Sequence, residues 1–272
     1  MTSKVRLPLN SPVALHSGAK GIWVADRESR SIVCFEPASA KQIAAIVVSE
    51  PPVALAAADG FVAAALSSSV IAAFDEATGK ELWRRAAGSA DVEIKSGARR
   101  VWAAERHGAA VLSFDRSGVS GRVPADGLLS FSPGEDDVFW LSRDGVLVAY
   151  DAADRDTRTV PLPEAITAGA IAACANAIWI SVVKGLVILD QRSLQVRAAL
   201  EAPEGPVPHL LCEDGKLVGG EKGVFVLNPM SDARVHPLPV HPASILRGIA
   251  ATPSIVWALE SAEPVVHITD LV

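Results

Sequence analysis

The chain reads as an all-β protein, a seven-bladed β-propeller with four-stranded blades. Three observations predict this. One unit recurs seven times at a single period. Two position markers keep phase through all seven copies. The N-terminal segment supplies the strand that the last copy lacks. A fixed period of this size, filled with short strands, is the signature of radial repetition.

The unit is an apolar strand, a turn, a second apolar strand ending in a polar residue, and a polar turn. Its copies begin GIWVADRESRSIVCFEPASAK, GFVAAALSSSVIAAFDEATGK and RRVWAAERHGAAVLSFDRSG. They continue DVFWLSRDGVLVAYDAADRD, AIWISVVKGLVILDQRSLQ, KLVGGEKGVFVLNPMSDA and IVWALESAEPVVHITDLV. The first-strand anchors are Trp23, Val62, Trp102, Phe139, Trp179, Leu217 and Trp257, stepping by 39, 40, 37, 40, 38 and 40. The second marker is Glu36, Asp75, Asp115, Asp151, Asp190, Asn228 and Thr269, stepping by 39, 40, 36, 39, 38 and 41.

The runs are short, rich in Val, Ile, Ala and aromatics, and bounded by Gly, Asp and Ser, which reads as strand. No stretch sustains a 3.6-residue period. An acidic residue before Gly or Asn suits a tight turn, where its side chain hydrogen-bonds the backbone just ahead. The seventh unit ends at Val272, after its third strand. The segment VRLPLN (5–10) resembles TVPLPE (159–164) and VHPLPV (235–240), both at fourth-strand positions. The N-terminal strand, about residues 4–10, is therefore expected to complete the last blade and remove an open sheet edge. A right-handed β-helix is the structural alternative, but its repeats are usually shorter. Residues 1–272 are expected to form one domain.

Composition narrows the function. Half of the residues are hydrophobic and 21% are charged, as in a globular chain with a large core. The net charge of −6 repels phosphate backbones, so nucleic acid is not expected as a partner. No apolar run approaches the roughly 18 residues that span a bilayer, and the N-terminus lacks the apolar core of a secretory signal, so no membrane partner is expected. Cys34, Cys174 and Cys212 form neither a disulfide framework nor a zinc site, and they read as small buried apolar side chains. The expected compartment is a reducing cytoplasm, and the Ala-, Val- and Arg-rich composition suggests a bacterial one.

Ser17-Gly18-Ala19-Lys20 matches SxxK but sits in a turn, and the other boxes of that chemistry are missing. There is no GxSxG, HExxH, P-loop or GxGxxG. No cofactor and no metal is expected.

The unit WVADRESRSIVCFEPASAKQIAAIVV resembles the YVTN and NHL type of propeller repeat, and FDEATGKELW (74–83) is similar to the PQQ-type repeat. WD40 repeats fit less well, because the units have no Gly-His start and no Trp-Asp end. The resemblance covers nearly the whole chain, but its motifs are structural. It implies sites over the central channel, on the face that holds the loop between strands two and three and the loop entering the next blade. Loops on a rigid scaffold are favoured places for function.

Two function classes follow. One is a binding module that recognises a protein, a peptide or a small molecule on the channel face. It predicts an apolar patch, for which loops 203–208 and 237–242 with Ile245 and Leu246 are candidates. The other is a small-molecule enzyme, such as a lyase, a lactonase-like hydrolase or a cyclase. Its acid–base candidates are Glu105, His107, Arg143, His209 and Arg247. Candidates for ligand contacts are Asp26, Arg27, Lys184, Glu221 and Glu260 in the loops, with His16, Glu93 and Lys95 on innermost strands. Asp26, Glu105 and Glu260 share one blade position and are expected to converge on the axis. Against each stands the plainer role of solvated surface, since single loop charges need no special function.

Overall fold

The computed structural model describes residues 2–87, 91–97, 99–105, 110–125, 127–134, 137–142, 145–151, 156–162, 170–183, 185–201, 207–213, 215–228, 235–240 and 242–271. Among them it contains 28 strands in seven four-stranded antiparallel sheets, and no helix.

The chain opens with β1 (Thr2–Arg6). Blade I is β2 (Pro12–Ser17), β3 (Ile22–Asp26), β4 (Ser31–Phe35) and β5 (Gln42–Val47). Blade II is β6 (Pro52–Ala58), β7 (Phe61–Leu66), β8 (Val70–Asp75) and β9 (Glu81–Ala86). Blade III is β10 (Val92–Ser96), β11 (Val101–Glu105), β12 (Ala110–Asp115) and β13 (Gly118–Pro124). Blade IV is β14 (Leu128–Pro133), β15 (Asp137–Ser142), β16 (Val146–Asp151) and β17 (Asp156–Pro161). Blade V is β18 (Ile171–Cys174), β19 (Ala177–Val182), β20 (Gly185–Asp190) and β21 (Val196–Glu201). Blade VI is β22 (His209–Glu213), β23 (Lys216–Gly220), β24 (Val224–Leu227) and β25 (Val235–Pro237). Blade VII is β26 (Leu246–Ala251), β27 (Ile255–Glu260) and β28 (Val265–Asp270), with β1 as its outer strand.

Burial follows position in the blade. The second strands β3, β7 and β19 are buried at every residue, so both faces are apolar. The outer strands β17 and β21 are mostly exposed and correspondingly polar or small. Seven hydrophobic clusters lie between the blades, one at each junction around the ring. All seven anchors fall in them, each no more than 4% exposed. The indole N–H groups then tie blades together. Trp23 Nε1 donates to Glu76 Oε1 of blade II at 2.9 Å, and Trp257 Nε1 of blade VII donates to the Pro37 carbonyl of blade I at 2.8 Å.

The second marker also has its cause. Asp75 accepts the Thr78 N–H at 2.7 Å, Asp115 that of Ser117 at 2.7 Å, and Asp190 that of Ser193 at 2.7 Å. Each carboxylate closes the turn between strands three and four. Blade VII departs from the pattern because no such turn follows its third strand. Thr269 there faces Thr2, and the two hydroxyls are 3.0 Å apart.

Ring closure by the N-terminus is as expected, with a shift in extent. The strand is β1, Thr2–Arg6, rather than about 4–10. It stops at Leu7, because Pro8 has no N–H to offer a ladder. Leu7, Leu162 and Leu238 make the same exit: their N–H groups donate to Pro264, Gly145 and Val224 carbonyls at 2.7, 2.9 and 2.8 Å.

One reading is corrected. Cys174 and Cys212 are joined as a disulfide, and Cys212 is exposed rather than buried. Both lie on innermost strands of adjacent blades, and their separation of 38 is one blade period. Stacking consecutive blades brings their Cα atoms to 5.3 Å, within bridging reach. Cys34 does match the buried apolar reading: it is fully buried, and burial, with the Glu76 charge, pushes its thiol up to about 12.

Candidate functional site

The innermost strands β2, β6, β10, β14, β18, β22 and β26 enclose a central cavity of about 1160 Å³. Each begins at the end of the ring that carries the loops between strands two and three, here the upper mouth. Pro12 faces Asp26 there, and the Arg27 N–H donates to the Ser11 carbonyl at 2.9 Å. Each ends at the lower mouth, beside the hairpins between strands one and two.

Among the described residues, four innermost strands start with a β-bulge, which inserts one extra residue and re-aims its side chain. The extra residues are Val13, Val53, Leu129 and Arg247. Three are aliphatic and pack on neighbouring clusters. Arg247 is the exception. It is exposed, lines the cavity, and donates through Nη2 to the Ser261 carbonyl at 2.9 Å.

His209 lies next to it. Its Nε2 is 3.1 Å from the Leu246 carbonyl, and because a carbonyl only accepts, Nε2 carries the proton. Burial pulls His209 below the ordinary imidazole value, against the opposing pull of the Leu246 carbonyl and the Glu221 charge. The Glu221 backbone carbonyl accepts the Leu246 N–H at 2.7 Å. The upper mouth thus gathers His209, Glu221 and Arg247. His107, Arg143 and Lys184 lie outside the described residues.

The expected convergence of Asp26, Glu105 and Glu260 on the axis does not occur. None of the three lines the cavity. Asp26 is 1% exposed and accepts the N–H groups of Ser11 at 2.8 Å and Asn10 at 3.0 Å, and the Ser29 hydroxyl at 2.7 Å. These bonds overcome the upward effect of its burial and hold it below the usual carboxylate range. Glu260 is 2% exposed, with His267 Nε2 at 2.7 Å and Lys4 Nζ at 3.1 Å. Both carboxylates are fasteners: Asp26 secures the segment entering β2, and Glu260 secures the closing strand β1. Glu105 ends β11 half-buried, opposite Val92, and Arg27 is exposed. Asp26 and Glu260 thus turn into the wall of the ring and not toward its axis.

The innermost-strand candidates do face the cavity. Lys95 Nζ lies 2.9 Å from Glu93 Oε1 and 2.5 Å from the Phe131 carbonyl, over the Phe131 ring at 5.4 Å. Ser130 Oγ donates to the same Glu93 oxygen at 3.1 Å. Glu93 Oε2 is buried with no hydrogen-bond partner among the described residues. His16 lies near the lower mouth. Its Nδ1 is 2.7 Å from the Ser17 carbonyl and its Nε2 is 2.9 Å from Ser96 Oγ. Burial pulls His16 below the ordinary imidazole value, partly offset by the Ser17 carbonyl.

Sequence reasoning missed Ser96 and Ser130. Ser96 stands beside the flagged Lys95 in VEIKS, but a lone serine carries no signal until its partner from another blade is known. The apolar patch expected on loops 237–242 is only partly present: Ile245 is 50% exposed, whereas Leu238, Val240 and Leu246 are buried, and 203–206 lie outside the described residues.

No family model matches the chain, and no curated protein matches it by sequence. Solved structures do match by fold. "Crystal structure of RRP9 WD40 repeats" superposes with a TM-score of 0.77 at 12% identity, covering 100% of this chain and 97% of that one. "Structure of U3-55K" gives 0.76 at 12% identity over 99% and 98%. A chain of "Crystal Structure of Mitotic Checkpoint Complex" gives 0.78 at 14% identity over 99% and 91%. At such identities the likeness is one of fold: the chain is a seven-bladed β-propeller similar in architecture to WD40-repeat propellers, without their Gly-His and Trp-Asp signatures.

Proposed function

We propose that this chain is a binding propeller that takes a carboxylate-bearing peptide or protein segment at the upper mouth of its channel. The observation that carries this reading is Arg247. The fold fills the other three bulge positions with aliphatic residues, whereas here a guanidinium stands exposed at the cavity rim. Arginine's fork of donors matches a carboxylate in two places at once. His209 and the exposed Ile245 flank it with a polar and an apolar contact. His209 and Arg247 are carried on blade strands, so no backbone segment there has to be ordered on binding, which supports a recognition role. The structural neighbours with WD40 repeats are in keeping with an interaction module.

A display library of random peptides, including free C-termini, tests the reading. Selected peptides are expected to lose about tenfold or more in affinity, measured by titration, when Arg247→Ala removes a charge-assisted pair. Failure to select any binder, or binders indifferent to Arg247→Ala, would reject it. The competing acid–base enzyme at this mouth has less support, because Glu105 does not line the cavity that His209 and Arg247 share.

A further inference from the structure

We propose that Ser96 and His16 form a serine–histidine nucleophile pair at the lower mouth of the channel, suited to hydrolysing small uncharged or cationic esters. The proposal is independent of peptide binding at the upper mouth and uses different residues.

The hydrogen-bond roles are fixed by elimination. The Ser17 carbonyl only accepts, so His16 Nδ1 carries the ring proton at 2.7 Å from it. His16 Nε2 therefore presents its lone pair, and Ser96 Oγ, 2.9 Å away, must be the donor. A hydroxyl donating to a neutral imidazole, itself oriented by a third group, is the arrangement that activates a serine. Here the orienting group is a backbone carbonyl in place of a carboxylate.

The pair comes from two blades that are not neighbours. His16 is the last residue but one of β2 in blade I, and Ser96 ends β10 of blade III. Between them runs β6 of blade II, whose lower half is Ala56, Ala57 and Ala58. Larger side chains there would fill the gap that the imidazole crosses. Alanines leave it open, and two of them, Ala57 and Ala58, also wall a second cavity of about 340 Å³ that both Ser96 and His16 line. Both residues are partly exposed and line that cavity, which gives a substrate access to them. Asp59 lines the same cavity, and its charge disfavours anionic substrates while admitting neutral or cationic ones. A space of this size suits a small acyl group.

The step balances with water as the only co-reactant. Ser96 Oγ bonds to the acyl carbon as its proton moves to His16 Nε2. The acyl–oxygen bond to the leaving alcohol breaks, and the alcohol departs with that proton. Water then attacks the acyl-serine, giving one proton to His16 Nε2. The acid leaves, and Ser96 Oγ recovers its proton from the ring.

The wild-type chain is treated with a small uncharged fluorophosphonate and the labelled residue is mapped by mass spectrometry. Hydrolysis of p-nitrophenyl acetate is followed in parallel for the wild type, Ser96→Ala, His16→Ala and, as a control on an outer turn, Ser193→Ala. The expected result is label on Ser96, and a fall of about 100-fold or more in the hydrolysis rate for the first two variants only. Label absent from Ser96, or hydrolysis unchanged in a folded Ser96→Ala chain, overturns the proposal. The mapping needs no variant, so it decides even where a substitution prevents folding. Ser96→Cys offers a second check: it should lose fluorophosphonate labelling and gain rapid alkylation by iodoacetamide that His16→Gln slows. Peptide binding at the upper mouth should survive Ser96→Ala, which separates the two readings.

Discussion

Single residues decide how neighbouring blades meet. Gly18 is one such residue. A Cβ there would stand 2.0 Å from Glu76 Oε1 and 2.9 Å from Trp23 Nε1, on the very bond that joins blades I and II. Gly18→Ala should therefore break the Trp23–Glu76 hydrogen bond inside a buried junction. The expected loss is about 1–3 kcal/mol in urea-induced unfolding, the range for a buried polar group left unmatched. An unchanged midpoint would mean that Glu76 moves aside without cost. His16 and His209 make a second case. Burial lowers both below the ordinary imidazole value of about 6.5 that the unfolded chain keeps. As the pH falls below that value, the unfolded state takes up protons before the folded one. Their contribution to stability is thus fully present above about pH 6.5 and is lost as the pH falls toward the folded values. His16→Gln should flatten the stability profile between pH 7.5 and 5.5, measured by urea unfolding. An equally steep profile in the variant would place the titration elsewhere.

At the scale of elements, the strands depend on fasteners between them. The disulfide joins β18 to β22 across one blade period. Replacing both cysteines with serine should lower stability by about 2–4 kcal/mol, the usual range for a native disulfide, with the ring still formed. Intact mass under non-reducing conditions shows directly whether the bond is present. A reducing compartment and this bond pull in opposite directions, since glutathione keeps most cytosolic thiols reduced. The closing strand has its own fastener in Glu260. Burial alone would raise its carboxyl, but hydrogen bonds from His267, Lys4 and the Ala243 N–H outweigh that and hold it below the usual range. A depressed carboxylate adds stability above its unfolded value, and that contribution disappears as the pH falls through its folded one. The β1–β28 seam should therefore weaken in acid, and hydrogen exchange of the Val5 and Val266 amides should report it. Exchange there that is independent of pH-driven opening would contradict this role.

The whole molecule depends on closure. Deleting residues 1–6 would remove β1, expose the edge of β28, and strip Glu260 of Lys4. The expected outcome is loss of a single cooperative thermal transition, with association through the new edge seen in size-exclusion chromatography. A monomer with an unchanged transition would show that three strands suffice for blade VII. The arrangement of blades I to III brings His16 Nε2 of β2 and Ser96 Oγ of β10, 80 residues apart, to 2.9 Å across the alanines of blade II.

The sequence by itself determined the number of blades, their phase and the origin of the closing strand. Those properties are local and periodic: a buried aromatic or aliphatic anchor, a turn carboxylate, and short apolar runs recur in every unit because every blade solves the same packing problem. It also marked His16, Glu93 and Lys95 as polar residues set among apolar ones. The tertiary structure decided everything that depends on where a side chain turns once the ring closes. Asp26 and Glu260 share a blade position with Glu105, and symmetry alone would send them to the axis, yet hydrogen bonds to their own blades hold them in the wall. Cys174 and Cys212 read as separate buried thiols until consecutive blades set their backbones side by side. Ser96 gained a partner only through a contact two blades away. Pairings of this kind arise from blade-to-blade distance and side-chain direction, which a one-dimensional pattern does not contain.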